Sequence, residues 1–344
     1  DPTSGQFGGL HMKHPTILDV AEEAGVSKSL VSLVMRDSEK VSPSSRKAVL
    51  AAAKKLGYRP NAAARTMVRQ RSYVVGILVS DLHNPFFADL IDGIDTAATN
   101  AGYRSILTTG NRVAEREELA VSTLLEMRVD GLILVSPVFS RDFAVEASKS
   151  VPTVVVGKAT RTATVDSVTN DDRHGAGMVV DHLVELGHRR IAHIDGGDGA
   201  GSQPRRTGYE RSMQRHGLEG ETRSVKGGFT EEGGRRGMRT LLAEGPTPTA
   251  VFVANDLAAI GVLEVLDKEG LSVPGGISVV GYDNTAMAAN HRLGLTTVDQ
   301  PRNEMGHMAA SLILTRIDEN RTTPRHVVLL PKLVVRESTS PPSP

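Results

Sequence analysis

Short apolar runs recur along most of the chain, and they constrain its fold more than any other feature of the sequence. The runs are rich in valine and isoleucine: YVVGILVSD, DGLILVSP, PTVVVGK, RRIAHIDG, TAVFVAND and ISVVGYD. Such β-branched runs are typical of strands that are buried on both faces of a parallel sheet. Amphipathic stretches lie between most of them, as at residues 88–101, 115–127 and 175–186. Strands that alternate with helices predict a doubly wound α/β fold with parallel sheets.

There are too many such segments for one compact sheet, and SVTNDD is interpreted as a crossover between two sheets. We therefore expect two similar α/β subdomains, each built on its own parallel sheet, with a cleft between them. In open α/β sheets, ligands bind at the carboxyl ends of the strands. Polar residues follow the predicted strands at those ends: Asp81 and Asn84, Lys158, Asp195, Asn255 and Asp256, and Asp283 and Asn284. The cleft is therefore predicted to hold a small polar ligand.

Two adjacent phenylalanines, Phe86 and Phe87, follow the first predicted strand at the mouth of this cleft. Aromatic residues make up only 3% of the chain, so a pair at this point favours a platform on which a ligand stacks. Ordinary packing at the start of a helix is the alternative, because buried aromatic rings also stabilise a core.

Charge is distributed unevenly, although the whole chain has 40 basic and 40 acidic residues and is neutral. Residues 13–71 hold 12 lysines and arginines against 5 acidic residues, a net charge of +7, which leaves −7 for the remainder. A basic end on an otherwise acidic protein predicts a negatively charged partner. A chance surface charge is the alternative interpretation.

The basic end also has the pattern of three short helices. Apolar residues lie at helical spacing in the first, on Ile17, Val20, Ala21 and Ala24. Gly25 allows a sharp turn, Ser27 is a suitable N-cap for a second helix, and Ser42 precedes a third. The pattern predicts a helix-turn-helix whose second helix offers side chains to the major groove, namely Lys28, Ser29 and Leu33. A three-helix interaction module is the alternative.

Two segments, TILDVAEEAGVSKSLVS and VSPSSRKAVLAAAKKLGYRPNAAARTM, closely resemble the head of the lactose/galactose repressor family of bacterial transcription regulators. The resemblance continues through nearly the whole chain to LPKLVVREST. It implies a cytoplasmic homodimer that binds a pseudo-palindromic DNA operator and responds to a small-molecule effector, without a cofactor. DNA contacts are then expected from the head at Thr16, Lys28, Ser29, Ser32 and Leu33.

The head departs from the family pattern at three positions. Leu30, Leu33 and Arg36 stand where the family commonly has Thr, Arg and Asn. Leu33 cannot form a bidentate contact with guanine, but it can contact a thymine methyl group. The departures leave the expectation of DNA binding intact and imply a different operator sequence.

The segment PNAAARTMV, at residues 60–68, has strong helix propensity and a capping residue in Asn61. A helix of about two turns is unstable alone in water, so we expect it to form when it gains a partner. The resemblance supplies that partner, because paired hinge helices in the family enter the minor groove. Contacts are then expected from Asn61, Ala64 and Met67, with Met67 as the apolar wedge. A plain flexible linker is the alternative.

The resemblance further implies a body that is similar to periplasmic sugar-binding proteins. Effector contacts are then expected from Phe86, Phe87, Lys158, Arg205, Asn255, Asp283 and Gln300. A carboxylate and amides suit hydroxyl groups, and a phenylalanine pair suits the apolar face of a sugar ring. A neutral sugar or polyol is therefore favoured over a nucleobase. Arg205 and Lys158 leave a sugar phosphate or a sugar acid as the second choice.

Other patterns carry no predicted chemistry. The segment GGDGAG lacks the Gly-Lys-Ser/Thr ending of a phosphate loop and is interpreted as a pocket rim. His174 and His182 are too far apart along a helix for a metal site, and Glu115–Glu118 is interpreted as a solvated helix face. No nucleophile–base motif is recognisable, so we do not expect an enzyme. A transporter's solute-binding protein, which would need an export signal and no basic head, and a sugar-processing enzyme are the alternatives.

These interpretations predict five segments. They are an added leader at 1–12, a helix-turn-helix domain at 13–59, a hinge helix and linker at 60–71, the two-subdomain body at 72–338, and a tail at 339–344. The chain has no cysteine, which excludes disulfides and thiolate metal sites. No run of about 18 apolar residues occurs, so no membrane-spanning segment is predicted.

Overall fold

A computed structural model describes residues 15–36, 38–58, 71–291 and 293–343, which form two units that divide between Ser72 and Tyr73. The predicted leader and the predicted hinge residues Asn61, Ala64 and Met67 lie outside the described residues. Each unit has its own hydrophobic core.

The described part of the first unit consists of three helices, α1 (Ile17–Glu23), α2 (Lys28–Met35) and α3 (Pro43–Leu56). Their shared core is built on small apolar side chains, and Val20, Val31 and Val49 are fully buried in it. The predicted apolar face of the first helix is therefore confirmed, with Val20 and Ala21 buried and Ile17 and Ala24 packed against the same core. Helices this short depend on such packing, because their intrinsic stability in water is marginal.

Capping residues set the ends of these helices where the sequence predicts them. The hydroxyl of Ser27 accepts the Leu30 N–H at 3.2 Å, and that of Ser42 accepts the Ser45 N–H at 3.2 Å. Gly57 ends α3 with φ of 65°, a left-handed conformation that costs glycine little.

The second unit alternates strands and helices. Its first elements are β1 (Val74–Val79), α4 (Phe86–Asn100), β2 (Arg104–Thr109), α5 (Ala114–Glu126), β3 (Gly131–Val135), α6 (Arg141–Ala147), β4 (Thr153–Val156) and β5 (Asp166–Asn170). The next are α7 (Asp172–Glu185), β6 (Ile191–Asp195), α8 (Ser202–Arg215), β7 (Arg223–Lys226), α9 (Glu231–Ala243), β8 (Ala250–Val253), α10 (Asp256–Lys268), β9 (Ser278–Asp283) and β10 (Thr296–Asp299). The last are α11 (Arg302–Glu319), β11 (His326–Leu329) and β12 (Lys332–Val334).

Two six-stranded sheets organise this unit. The first has the order β11-β5-β4-β3-β1-β2 and is parallel throughout. The second has the order β12-β10-β9-β8-β6-β7 and is parallel except for β12, which pairs antiparallel to β10. The prediction of two doubly wound subdomains is confirmed. The antiparallel edge was not predicted. The chain leaves the second subdomain at the end of β10 and re-enters it beside that end, so β12 runs in the opposite direction to β10.

Three segments connect the subdomains: β5 to α7, β10 to α11, and β11 to β12. Two of them touch, because the Asp171 N–H donates to the Leu329 carbonyl at 2.9 Å. SVTNDD, predicted as a crossover, is the end of β5 together with the first of these connections. Residues on the connections belong to both subdomains and are suited to sense how the two are arranged.

Residues after β12, among them Ser340 and Ser343 of the predicted tail, are hydrogen-bonded to the second subdomain. The Ser340 N–H donates to Ser278 Oγ at 3.1 Å, and His188 Nε2 lies 2.9 Å from the Ser340 carbonyl. The Ser343 hydroxyl donates to the Gly275 carbonyl at 2.5 Å. None of the described helices is both long and apolar enough to cross a membrane.

Candidate ligand and nucleic-acid sites

A pocket lies between the two subdomains, where the carboxyl ends of their parallel strands meet. It encloses about 600 Å³, part of which is open to solvent. Side chains from both sheets and from the connecting segments line it. Among them are five of the residues predicted to contact a ligand, Phe86, Phe87, Arg205, Asp283 and Gln300. The structure therefore brings together side chains that lie more than 200 positions apart in the sequence.

Phe86 and Phe87 begin α4 and form one wall of the pocket. Their rings meet edge to face, with centroids 5.1 Å apart and an interplanar angle of 82°. Both rings are also part of the first subdomain's core and are only 8% and 4% exposed. The two interpretations of this pair are thus compatible, since each ring has one side in the core and another at the pocket.

Arg205 is fixed on the opposite wall by α8. Its Nε donates to Asp172 Oδ1 at 2.9 Å and its Nη1 to the Ala254 carbonyl at 2.6 Å. The guanidinium carbon lies 3.7 Å from the centroid of the Tyr282 ring. Burial disfavours the charge, but Asp172, Tyr282 and Asp283 outweigh it, so the pKa of Arg205 is raised. Arg205 is therefore a permanent, rigidly held cation.

Asp283 ends β9 and points its carboxyl group towards Gln300, whose Nε2 donates to Oδ1 at 2.6 Å. Burial raises the pKa of Asp283 to about 7; Arg205 opposes this rise and the nearby Asp256 adds to it. The backbone of Asp283 has φ of 119°, a strained conformation for a residue with a side chain. Such strain persists only where the surroundings enforce it, which is common at binding sites.

Asp256, at the start of α10, lies behind this carboxyl group with both of its oxygens occupied. Oδ1 accepts the Thr297 hydroxyl at 2.6 Å, and Oδ2 accepts the N–H and the hydroxyl of Thr285 at 2.7 and 3.0 Å. Burial raises the pKa of Asp256 to about 6, which these hydrogen bonds partly oppose. Asp256 is therefore a structural neighbour that makes a second negative charge at Asp283 costly.

Asn170 is a lining residue that the sequence did not single out. Its Nδ2 donates to the Tyr282 hydroxyl at 2.8 Å and to Asp172 at 3.2 Å. Its Oδ1 is buried and accepts no hydrogen bond from the part of the chain that the structure describes. A buried acceptor without a donor costs about 1–3 kcal/mol, so a ligand hydroxyl that reached this oxygen would gain that amount.

Arg112 and Phe229 are two further lining residues that the sequence did not predict. Arg112 has φ of 59°, and its Nε lies 3.3 Å from Asp81 Oδ2. Both arginines of the pocket make cation–π contacts with Phe229. Its ring centroid lies 5.7 Å from the guanidinium carbon of Arg112 and 5.5 Å from that of Arg205. Arg112 comes from the first subdomain and Phe229 from the second, so this contact spans the cleft.

Two lining residues, Ser80 and Val138, are bound by a glutamate from the segment predicted to be a solvated helix face. Glu117 on α5 is fully buried; Oε1 accepts the Ser80 hydroxyl and Oε2 the Val138 N–H, both at 2.8 Å. The prediction is wrong at this position, although the neighbouring Glu115 is exposed as expected. The helical periodicity of α5 turns Glu117 inward although its neighbours in the sequence are polar, and the Ser80 hydroxyl and the Val138 N–H donate to its carboxylate.

Two predicted contacts do not line the pocket in the described structure. Lys158 is only half-buried, and the pocket is lined instead by Gly157 before it. Asn255 caps α10, where its Oδ1 accepts the Ala258 N–H at 2.9 Å. Its Nδ2 is buried and donates to no described group. The predicted glycine-rich rim does line the pocket, through Gly199 to Gly201.

The second candidate site is a shallow depression on the exposed side of α2. It is lined by Lys28, Ser29, Ser32, Leu33 and Arg36, which include four of the predicted DNA contacts. Lys28 and Ser29 are exposed, whereas Leu33 is half-buried against the core of the head. Thr16 has another role, since its hydroxyl donates to Asp19 Oδ2 at 2.8 Å and caps α1. Within the described ranges, no cluster of acidic or histidine side chains could hold a metal ion.

Comparisons with known proteins agree with this division of sites. Residues 16–61 match the family model of bacterial regulatory proteins of the lacI family, and residues 180–339 match a periplasmic binding protein-like domain. Catabolite control protein A of Priestia megaterium is 35% identical over 94% of this chain and 99% of its own length. The HTH-type transcriptional regulator CelR of Thermobifida fusca is 37% identical over 95% and 98%.

Two solved structures are similar over nearly the whole chain. A lac repressor dimer bound to operator and the anti-inducer ONPF superimposes with a TM-score of 0.84 at 29% identity, over 95% of this chain and 100% of its own. A complex of CelR with cellobiose gives a TM-score of 0.71 at 34% identity, over 94% and 99%.

Proposed function

The chain belongs to the LacI family of bacterial regulatory proteins, and from this membership we propose that a small neutral sugar or polyol controls its affinity for a DNA operator. The protein is a transcription regulator with a helix-turn-helix head. We assign it the role of a repressor that acts as a homodimer in the cytoplasm, where its DNA partner is found. The observation that carries the ligand proposal is the convergence of Arg205, Asp283 and Gln300 opposite the phenylalanine pair.

Charge in the pocket favours a neutral ligand. Arg205 is paired with Asp172, and Arg112 with Asp81. Asp283, with its pKa raised to about 7, is only partly ionised at neutral pH. An additional anion would meet these carboxylates, whereas hydroxyl groups can donate to Asp283 and Asn170 and accept from Gln300 or an arginine. Two similar proteins have been solved with sugars of this class, CelR with cellobiose and a LacI-family regulator of Enterococcus faecium with ribose.

Control of DNA binding requires that the ligand prefer one arrangement of the subdomains. The pocket residues meet this requirement because Phe86 and Phe87 belong to the first subdomain, Arg205 and Asp283 belong to the second, and Gln300 lies on a connection. A ligand that contacts all of them binds tightly only when the subdomains are correctly placed. The difference in its affinity for two arrangements is the free energy available for regulation.

In the complex with DNA, we propose that Lys28, Ser29 and Leu33 contact base edges. We propose that Thr16 and Ser32 lie at the phosphate backbone of the DNA. Asn61, Ala64 and Met67 are assigned to the minor groove, as hinge residues of two paired subunits. The net charge of +7 on residues 13–71 supports both assignments, because phosphate contacts dominate affinity for DNA.

The ligand proposal is tested by thermal denaturation of the full chain with a panel of sugars, polyols, sugar phosphates and purines. A ligand at 100 times its Kd raises the unfolding free energy by about 2.7 kcal/mol, which is readily measured as a shift in Tm. We expect a neutral sugar or polyol to stabilise wild type and the control variant Asp142→Asn, whose side chain is 92% exposed. Asp283→Asn is expected to lose the shift. Stabilisation by a purine alone would contradict the proposal.

A catalytic role on the same fold is the other candidate. The bound ligand should be recovered unchanged after long incubation with the protein, because we assign no residue of the pocket to bond cleavage. Conversion of the ligand at a catalytic rate would favour the sugar-processing enzyme instead.

A further inference from the structure

One face of α2 carries a row of polar side chains at helical spacing. Lys28, Ser32 and Arg36 are four residues apart and line the same depression as Ser29 and Leu33. Residues at such spacing lie above one another on a helix surface. The side chain of Leu33 has no hydrogen-bond donor. The two cationic side chains of this face are Lys28 at the beginning of α2 and Arg36 at its end.

Arg36 does not extend freely into solvent as an exposed arginine commonly does. Its Nε donates to the Ser32 carbonyl at 3.1 Å, and its Nη2 donates to the Ser32 hydroxyl at 2.7 Å. Both partners lie one helical turn towards the N-terminus, so the guanidinium is drawn back beside Ser32. The charge therefore lies at the middle of the exposed face of α2, although the Cα of Arg36 is at the helix C-cap.

These two bonds leave a defined donor edge. A guanidinium has five N–H groups in a planar fork, and the bonds to Ser32 use two of them. Two of the remaining three form the edge between Nη1 and Nη2, which matches two acceptors side by side. An arginine loses rotamer entropy when a contact fixes it, and part of that loss has already occurred in the unbound head because Arg36 is bonded to Ser32.

In the major groove, the acceptor pair that fits this edge is O6 and N7 of guanine. We propose that Arg36 reads a guanine in each operator half-site and that Ser32 is the positioning residue that aims it. The inference rests on the proposed function, because it requires that α2 enter the major groove. It goes beyond that function by adding Arg36 as a base contact and by giving Ser32 a role within the head.

The test is selection of binding sites from a random duplex library by the full chain, followed by affinity measurements on the selected sequence. Wild type is expected to select a half-site that contains a guanine at one fixed position. Arg36→Ala should lose the preference at that position only, with a loss of about 10- to 100-fold in affinity per half-site for the guanine sequence. Arg36→Lys should weaken the preference, because an ammonium group lacks the planar pair of donors and the two bonds that hold the guanidinium against Ser32.

Two further variants separate positioning from charge. Ser32→Ala keeps the arginine but removes one of its anchors, so we expect the guanine preference to weaken while the salt dependence of binding stays unchanged. Lys54→Ala removes an exposed basic residue from α3 and serves as the control, with the selected sequence unchanged.

The outcomes that overturn the inference are distinct from failure of the proposed function. If Arg36→Ala weakens all sequences equally and lowers the slope of log affinity against log salt by about 1 per subunit, Arg36 contacts a phosphate. If Arg36→Ala keeps the same selected guanine, another residue reads it. If wild type selects no sequence at all, the proposed function fails and the inference fails with it.

Discussion

Asp283, which we propose as a ligand-binding group, is also a source of instability in the fold. Its backbone is strained at φ of 119°, its carboxyl group is buried, and its pKa is raised to about 7 with burial as the main cause. A group whose pKa is higher in the folded state stabilises the fold at low pH. That stabilisation is complete below the unfolded value near 4 and is lost as the pH rises through about 7.

Replacing Asp283 by Asn removes this titration and keeps a carbonyl oxygen that can accept from Gln300. We therefore expect the Tm of Asp283→Asn, relative to wild type, to increase between pH 5 and pH 8. The exposed control Asp142→Asn should show a constant difference over the same range. A constant difference for Asp283→Asn as well would mean that the carboxyl group ionises at an ordinary pH.

Glu117 and Glu115 look alike in the sequence and differ in the structure. Removing Glu117 leaves the Ser80 hydroxyl and the Val138 N–H without their acceptor, and an unsatisfied buried donor costs about 1–3 kcal/mol. We expect Glu117→Ala to lower the unfolding free energy by about 2–4 kcal/mol in urea denaturation. Glu115→Ala, on the exposed side of the same helix, should change it by less than about 0.5 kcal/mol. Equal effects would contradict the buried position of Glu117.

At the scale of elements, the sequence predicts six of the eight internal strands of the two described sheets and misses β5, β10 and the edge strands. The six apolar runs contain β1, β3, β4, β6, β8 and β9, which have neighbours on both sides in their sheets. β2 and β7 lie at sheet edges, are partly exposed and read as RSILTT and RSVK, without a continuous apolar run. A strand with one neighbour and a solvated side needs no such run, so periodicity alone does not reveal it.

The missed strands explain the missed site residues. Arg112 follows β2 and Phe229 follows β7, so neither could be recognised as a residue at a strand end. Asn170 ends β5, which was interpreted as a connection because several of its residues are polar. These polar residues are buried with partners; Asp166 Oδ2, for example, lies 2.7 Å from Arg321 Nη2. Phe86, Phe87 and Asp283 could be proposed because they follow apolar runs, and Arg205 and Gln300 could be proposed from the family resemblance.

Helix α7 offers a matched pair of glycines that tests how its packing supports the pocket. A Cβ on Gly175 would collide with the Tyr282 hydroxyl, whose ring lies against Arg205, whereas a Cβ on Gly177 would meet nothing within 4 Å. We expect Gly177→Ala to raise the unfolding free energy by about 0.5–1 kcal/mol through helix propensity. Gly175→Ala should lower it and weaken ligand binding. Equal stabilisation by both would contradict the close approach of α7 to Tyr282.

At the scale of the whole molecule, two units have separate cores, and we assign them separate tasks. The head presents a basic helix face, and the body holds a neutral, hydroxyl-matching pocket between two subdomains. The central claim is that occupancy of the pocket changes the affinity of the head for DNA. A coupling free energy of 1–3 kcal/mol, typical of allosteric proteins, corresponds to roughly a 5- to 150-fold change in Kd.

The most direct test is the Kd of the full chain for its selected operator, at fixed salt, with and without the sugar that gives the largest thermal shift. We predict that a saturating concentration of this sugar changes the wild-type Kd by at least about fivefold. In Asp283→Asn, the operator Kd without ligand should equal that of wild type, and the sugar should not alter it. An operator Kd for wild type that is the same with the pocket empty and saturated would contradict the claim.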